Sequence, residues 1–141
     1  MLKNIPGLFT PQILRVMMEM GHGDRLLLCD ANYPNAQGGG ERIDLPHADI
    51  RELLEMVLYF FPLDRSVECA AAVMESCREG ARYEQYRSLV EINGSKLVTV
   101  ERFAFYRQAE RAAARIVTAD MTRGGNILLT KGVVTPDDLP F

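Results

Sequence analysis

Apolar residues recur along the chain in two patterns, which predict its helices and strands. Residues 50–61 carry an apolar side chain at every third or fourth position, as expected for the buried face of a helix. Residues 26–29 are a continuous apolar run bounded by charges, which favours a strand buried on both faces. Along the whole chain these patterns predict helices over 11–20, 50–61, 81–92 and 103–113, and strands over 26–29, 66–74, 96–100, 115–118 and 126–129.

The order of these elements predicts the fold class. Strands alternate with helices through most of the chain, which favours parallel strands whose connecting helices cover both faces of the sheet. The loop between the last two strands is too short for a crossover helix, so we expect them to form an antiparallel pair. The prediction is an α/β fold with three layers, α/β/α, around a mostly parallel but mixed sheet. At 141 residues, the chain is expected to form one domain over residues 1–141.

Turn and capping residues mark the boundaries of these elements. Thr10 and Pro11 are an N-cap and a first helical residue, and Asp49 with Glu52 forms a capping-box-like start for the helix over 50–61. Residues 31–41 are expected to be a loop. Its three glycines, at 38–40, neither follow a strand directly nor open a helix, so we interpret them as a mobile lid or a plain linker rather than a phosphate cradle.

Composition and charge exclude several classes of protein. The chain is 48% hydrophobic and 25% charged, with a net charge of −3 and no basic stripe, so we expect no binding to nucleic acid. No apolar run is long enough to span a membrane. The three cysteines are odd in number and fit no metal spacing, which indicates a reduced, cytoplasmic protein. Nucleophile elbows, phosphate loops, dinucleotide fingerprints and zinc motifs are absent.

The candidate chemistry lies where the predicted strands end. In open α/β sheets, ligands bind beyond the carboxyl ends of the parallel strands. Those ends carry acids and one arginine, a combination that suits a small ligand with several hydroxyl groups. The residues are Asp30, Glu75, Glu101, Arg102 and Asp120. For any one of them, the alternative is that it simply ends a buried strand in solvent.

His22 is a second candidate, and its position raises a geometric difficulty. It lies between Gly21 and Gly23, which allow a sharp turn, and imidazole is suited to moving protons near neutral pH. A lone histidine is nevertheless more often structural. His22 precedes the strand that Asp30 follows, and eight extended residues reach about 26 Å. Either the loop at 21–24 folds back over the sheet, or different subunits supply the two ends of one site.

Three motifs together carry a resemblance to a known family. They are GHGD from residue 21 with DA at 30–31, ERFAFYRQAERA at 101–112, and GNILLTKG at 125–132. In this order and spacing the chain resembles the RbsD/FucU family of sugar mutarotases. The segment PLDRSVECAAAVME at 62–75 resembles the fucose branch more than the ribose branch. The resemblance implies a cofactor-free, metal-free isomerase that interconverts the anomers of a free monosaccharide, L-fucose in that branch.

The resemblance also implies site residues and an assembly. His22 matches the family's proton-transfer histidine, and Asp30 and Arg102 match its sugar-binding residues. Gly125 and Asn126 match the end of a Tyr-Gly-Asn sugar contact whose tyrosine is replaced here by Gly124. The implied assembly is a homo-oligomer, often a decamer of two stacked pentamers, with sites between subunits. Because that phenol is absent, a mutarotase for another sugar, such as D-ribose, is one alternative. A catalytically silent sugar-binding, transport-accessory protein is the other alternative.

Overall fold

The computed structural model describes residues 1–141 and contains one six-stranded sheet with four α-helices. The helices are α1 (Pro11–Glu19), α2 (Ile50–Phe60), α3 (Ala81–Ile92) and α4 (Arg102–Ala109). The strands are β1 (Arg25–Cys29), β2 (Glu41–Asp44), β3 (Ala71–Met74), β4 (Leu97–Val100), β5 (Ala114–Val117) and β6 (Ile127–Thr130). The predicted α/β class is therefore confirmed.

The sheet is mixed, with the strand order β2-β5-β1-β6-β3-β4. The pairs β1–β5, β2–β5 and β3–β4 are parallel, whereas β6 runs antiparallel to both β1 and β3. The expected antiparallel pair of the last two strands is wrong, because β1 lies between β5 and β6. Their connection passes over the end of β1, where the Ala31 N–H donates to the Asp120 carbonyl at 2.8 Å.

Helices cover both faces of the sheet, which confirms the three-layer arrangement. Alternate residues of β1 point to opposite faces, as in any strand. Leu26 and Leu28 join the larger core with α1, α2 and α3. Leu27 and Cys29 join a smaller core on the other face with Phe105 of α4. No helix combines the length and the apolar composition that crossing a bilayer requires.

Three differences from the predicted elements are larger than one residue. Strand β2, which begins where the predicted loop over 31–41 ends, is absent from the prediction, because only one of its four side chains is buried and it therefore shows little hydrophobic pattern. Strand β3 begins at Ala71 rather than 66, because the chain turns at Ser66, whose N–H and hydroxyl both donate to Asp64 Oδ1. Helix α4 ends at Ala109, before the predicted end at 113.

The three glycines at 38–40 pack into the fold, contrary to the expectation of a lid or linker. A Cβ on Gly39 or Gly40 would lie about 2 Å from the backbone carbonyl oxygens of Glu110 and Ala113. Glycine is needed because the two backbones approach too closely for any side chain. Arg115 Nη1 donates to the carbonyls of all three glycines, at 2.9–3.2 Å. The segment therefore forms part of the packed edge beside β5.

Candidate active site

A buried pair of polar side chains lies at the carboxyl end of β1. The Asn126 Nδ2 group donates to Asp30 Oδ2 at 3.0 Å, and Asn126 Oδ1 accepts from the Asp30 backbone N–H at 2.7 Å. The antiparallel direction of β6 explains the contact, because the residue before β6 then faces the residue after β1. The structure thus brings together two residues that are 96 positions apart in the sequence.

The environment of Asp30 makes its carboxyl group easier to protonate than an exposed one. Asp30 is only 4% exposed, and burial raises the pKa of its carboxyl group. Hydrogen bonds from the Asn32 N–H and the Asn126 amide oppose this rise, as does the nearby backbone of Gly125, while the nearby Asp120 charge adds to it. Each carboxylate oxygen keeps lone-pair capacity for a ligand hydroxyl beyond its one protein donor.

The turn that precedes Asn126 is closed by backbone contacts. The Gly125 N–H donates to the Thr122 carbonyl at 3.1 Å, and Gly124 has a φ of +66°, in the left-handed region that favours glycine. A Cβ at Gly124 would lie 2.6 Å from Ser76 Oγ. The absence of a side chain at position 124 therefore matches both the backbone conformation and the space available.

Arg102 lies on the same edge of the sheet but not against this pair. It is the first residue of α4, directly after β4, and its guanidinium carbon lies 4.6 Å from the centre of its neighbour's ring, Phe103. In the strand order, β6 and β3 separate β1 from β4. Three strand spacings amount to about 14 Å. Arg102 therefore faces solvent near the candidate site without touching Asp30.

The other acids at strand ends have structural partners. The Glu101 carboxylate caps α4 by accepting from the N–H groups of Phe103 and Ala104. The Asp120 carboxylate accepts from the N–H groups of Ile50 and Thr122. Glu75 is exposed and makes no side-chain hydrogen bond. Among the acids proposed at the strand ends, only Asp30 is both buried and paired with a second candidate residue.

A second polar cluster lies at the opposite edge of the sheet, around His22. His22 Nε2 lies 3.1 Å from Asp64 Oδ2, and the imidazole is 52% exposed. Asp64 is buried, and the Ser66 hydroxyl and N–H, followed by His22, lower the pKa of its carboxyl group. An ionised carboxylate only accepts hydrogen bonds, so the His22 Nε2 carries the shared proton and Nδ1 is left free.

Sequence reasoning missed Asp64. It follows α2 after Pro62 and Leu63, and nothing in the local pattern separates it from an ordinary loop acid. Its position beside His22 comes from sheet pairing, since the Asp64 N–H donates to the Thr130 carbonyl at the end of β6. The available signal was the Asp64-x-Ser66 spacing, which is typical of a side chain accepting from a backbone N–H two residues on.

The two clusters are too far apart within one chain to hold the same small ligand. Asn126 stands at one end of β6, and the Asp64 contact stands at Thr130, its other end. Four residues of extended strand separate them by about 13 Å. The loop at His22 does not fold back over the sheet, since the Gly23 N–H donates to the Lys131 carbonyl at that same far end.

Two tyrosines lie on the face of the sheet that α4 covers. Tyr33 follows Asp30 closely and donates its hydroxyl to the Gln37 carbonyl at 2.9 Å. The ring of Tyr106 packs edge-on against it, with centroids 5.7 Å apart, and its hydroxyl makes no hydrogen bond within the chain. Tyr106 is therefore the phenol on this face that remains available to a ligand.

Neither a cysteine nucleophile nor a metal site is part of this geometry. Burial raises the pKa of the Cys29 thiol to about 12, so the thiol stays protonated at neutral pH. All three cysteines are free, and no group of three or more histidine, cysteine, aspartate or glutamate side chains is placed to bind a metal ion. The candidate residues described above offer imidazole, carboxyl, amide, guanidinium and phenol groups.

Comparison with known proteins decides the family. The model of the RbsD / FucU transport protein family matches residues 3–134 of this chain. The chain belongs to this family. This RbsD/FucU member is 38% identical to a fucose mutarotase of Danio rerio over an alignment of 148 positions, which covers 97% of each chain. It is 36% identical to an L-fucose mutarotase of Actinobacillus pleuropneumoniae, over 94% of this chain and 97% of that one.

Solved structures of the family share the fold of this member. The fucose mutarotase of Streptococcus pneumoniae in complex with L-fucose superposes with a TM-score of 0.87 at 35% identity, covering 95% of this chain and all of that one. Bacillus subtilis RbsD complexed with D-ribose gives a TM-score of 0.77 at 17% identity, over 92% of this chain and 98% of that one, and so shows the shared fold alone. The resemblance inferred from the sequence motifs is confirmed.

Proposed function

We propose that this RbsD/FucU member is an isomerase, a mutarotase that interconverts the anomers of free L-fucose. The similarity to the Streptococcus pneumoniae fucose mutarotase in complex with L-fucose, nearly end to end, is the observation that carries the proposal. Relatives named fucose mutarotase from both animals and bacteria add to it, at 36–40% identity.

The reaction needs proton transfer at two oxygens of the sugar. One proton leaves the anomeric hydroxyl and one reaches the ring oxygen, so that the ring opens to the aldehyde. The C1–C2 bond then rotates and the ring closes on the other face of the carbonyl. In our proposal His22 moves the proton through its free Nδ1, while Asp64 fixes the ring and its tautomer through Nε2. Such acid–base catalysis is typically worth about 10²–10⁴-fold in rate.

The substrate would lie on the cluster at the carboxyl end of β1. Asp30 would accept hydrogen bonds from sugar hydroxyls, with Asn126, Gly125 and Gly124 forming the wall beside it. Arg102 begins α4 about 14 Å away along the same edge, and its long, exposed side chain would extend towards Asp30 to close over the sugar. The free hydroxyl of Tyr106 would supply the phenol that position 124 lacks. These assignments are supported by the buried pairing of Asp30 with Asn126 and by the exposed position of Arg102 at the same edge of the sheet.

We also propose that the active site is completed by a second subunit. The separation of about 13 Å between the two clusters is larger than a monosaccharide ring can bridge by direct hydrogen bonds. A neighbouring subunit that places its His22 edge against the Asp30 edge would unite them. A homo-oligomer is thus required, and a decamer of two stacked pentamers is the form we propose.

The unpaired thiols support a reducing, cytoplasmic location.

Anomer exchange measured by saturation-transfer NMR tests the proposed function. We expect the protein to raise the exchange rate of L-fucose above the solvent rate, and His22→Ala to remove at least ~100-fold of that acceleration. His47→Ala is the matched control, since His47 is an exposed loop histidine. Equal exchange by His22→Ala and the parent would show that His22 is not the proton-transfer residue.

The alternatives differ in the result of the same assay. A mutarotase for another sugar, such as D-ribose, would accelerate that sugar more than L-fucose in a panel, and the missing side chain at Gly124 motivates this test. A silent sugar-binding protein would show saturable binding in the NMR spectrum and no exchange above the solvent rate.

A further inference from the structure

The first turn of α3 carries an arginine that contacts two other elements of the fold. The Arg82 side chain is 15% exposed, and its guanidinium donates to both carboxylate oxygens of Asp49, the N-cap of α2, at 3.0 Å each. It also donates to Thr122 Oγ1 at 3.0 Å and lies 3.4 Å from Asp120 Oδ2. One side chain thus joins the start of α2 to the turn that leads into the candidate site.

Tyr86, one helical turn further along α3, reaches the other end of the same turn. Its side chain is fully buried, and its hydroxyl donates to the Gly125 carbonyl at 2.7 Å. The Arg82 guanidinium carbon lies 5.9 Å from the centre of the Tyr86 ring, so the two side chains also support each other. Positions four apart on a helix share one face, and this face of α3 is directed at residues 120–125.

The segment held in this way has little rigidity of its own. It contains consecutive glycines, Gly124 and Gly125, which lose more conformational freedom on ordering than any other residue. Its internal hydrogen bonds run from the Thr122 N–H to Asp120 and from the Gly125 N–H to the Thr122 carbonyl. Asn126 follows immediately and holds Asp30 at both its backbone and its carboxylate.

We propose that Arg82 and Tyr86 are positioning residues for the sugar site, which fix the turn over 120–125 so that Gly125 and Asn126 meet Asp30 in one geometry. This inference rests on the proposed function, because the site that the two residues position is the one where we place the substrate. Neither side chain touches Asp30, so both act through the turn. Displacements of about 1 Å in a positioned site can cost about 10²-fold in rate.

Tyr86→Phe is the main test, because it removes one hydroxyl and keeps the buried ring. We expect the exchange rate of L-fucose at 25 °C to fall at least ~10-fold in the folded variant. The carboxyl titration of Asp30, followed by ¹³C NMR, should move to higher pH, because a displaced turn loosens the hydrogen bond from the Asn126 amide that opposes the rise. Asp120 is the charged group acting on Asp30 and is followed in the same spectra.

Arg87→Gln is the matched control on the same helix. The Arg87 side chain is 42% exposed and pairs only with Glu84 and Glu91, so its loss should change neither the exchange rate nor the Asp30 titration. Arg82→Lys is a second variant, which keeps the charge but not the two-pronged contact with Asp49. Arg82→Lys should remain folded, and it should move the Asp30 titration to higher pH by less than Tyr86→Phe does.

The outcomes separate this inference from the proposed function. If Tyr86→Phe lowers the melting temperature but leaves both the exchange rate and the Asp30 titration as in Arg87→Gln, the two residues are merely structural and the inference is overturned. If the parent protein exchanges no sugar, the proposed function fails, and the Asp30 titration alone decides the inference. An unchanged titration in both Tyr86→Phe and Arg82→Lys then overturns it.

Discussion

Replacing Asn126 by aspartate tests the buried pair at the carboxyl end of β1. The side chains of asparagine and aspartate have nearly the same shape, so Asn126→Asp places a second carboxylate about 3.0 Å from Asp30, where the amide now donates. At an effective dielectric constant near 20, two charges at this distance repel by about 5 kcal/mol, which equals about 4 pKa units. The pair should therefore hold one proton at neutral pH.

The sign of the pH effect on stability follows from that proton. A carboxyl pair with a raised pKa binds more protons when folded than when unfolded. The free energy of unfolding is therefore highest at low pH and falls as the pH rises to the raised pKa. Relative to the parent, the free energy of unfolding of Asn126→Asp should fall by about 2–4 kcal/mol between pH 5 and pH 8, since one proton accounts for at most about 1.4 kcal/mol per pH unit. Urea unfolding at several pH values measures this difference.

Asn35→Asp provides a control in which the expected charge effect is reversed. The Asn35 Oδ1 accepts from Arg42 and from Arg115, each at 3.0 Å, so a carboxylate there gains favourable charge partners. The difference in free energy of unfolding between Asn35→Asp and the parent should therefore not change between pH 5 and pH 8. If the free energy difference for Asn126→Asp also did not change with pH, Asp30 and residue 126 would not form the close buried pair described above.

Two further substitutions test the turn and the histidine pair. Gly124→Ala should lower the free energy of unfolding by about 1–2 kcal/mol, measured by urea denaturation. The reason is that a Cβ is strained at a φ of +66° and would contact Ser76 Oγ. A variant as stable as the parent would refute this packing. Asp64→Asn should slow anomer exchange at least ~10-fold in the NMR assay, because an amide can donate to Nε2 and so favours the wrong tautomer of His22. An unchanged rate would show that Asp64 does not assist His22.

Much of the fold could be predicted from the hydrophobic pattern, because most elements bury a complete face. Helix α3 has the predicted bounds, and β1 differs by one residue, since both carry apolar side chains throughout their buried positions. Strand β2 could not be predicted in this way, because it lies at the edge of the sheet and buries only Ile43. Its place is fixed by parallel pairing with β5, which local sequence does not encode.

The strand order and the partner of His22 depend on contacts between distant parts of the chain. The short connection between β5 and β6 suggested a hairpin, yet β1, with four buried apolar residues, lies between them and pairs with both. Asp64 meets His22 only because both flank the far end of β6. By contrast, the end of a buried strand predicts Asp30 as a site residue and the family resemblance predicts Asn126, although neither pattern indicates the contact between them.

Mixing two inactive variants tests most directly whether two subunits form each active site. His22→Ala and Asp30→Asn are unfolded together in equal amounts, refolded, and assayed for L-fucose anomer exchange by saturation-transfer NMR. If each site takes His22 from one subunit and Asp30 from its neighbour, random assembly restores about one quarter of the parental sites. We predict exchange near that level, although each variant refolded alone is inactive. Exchange no higher than the sum of the two separate variants would contradict a shared site.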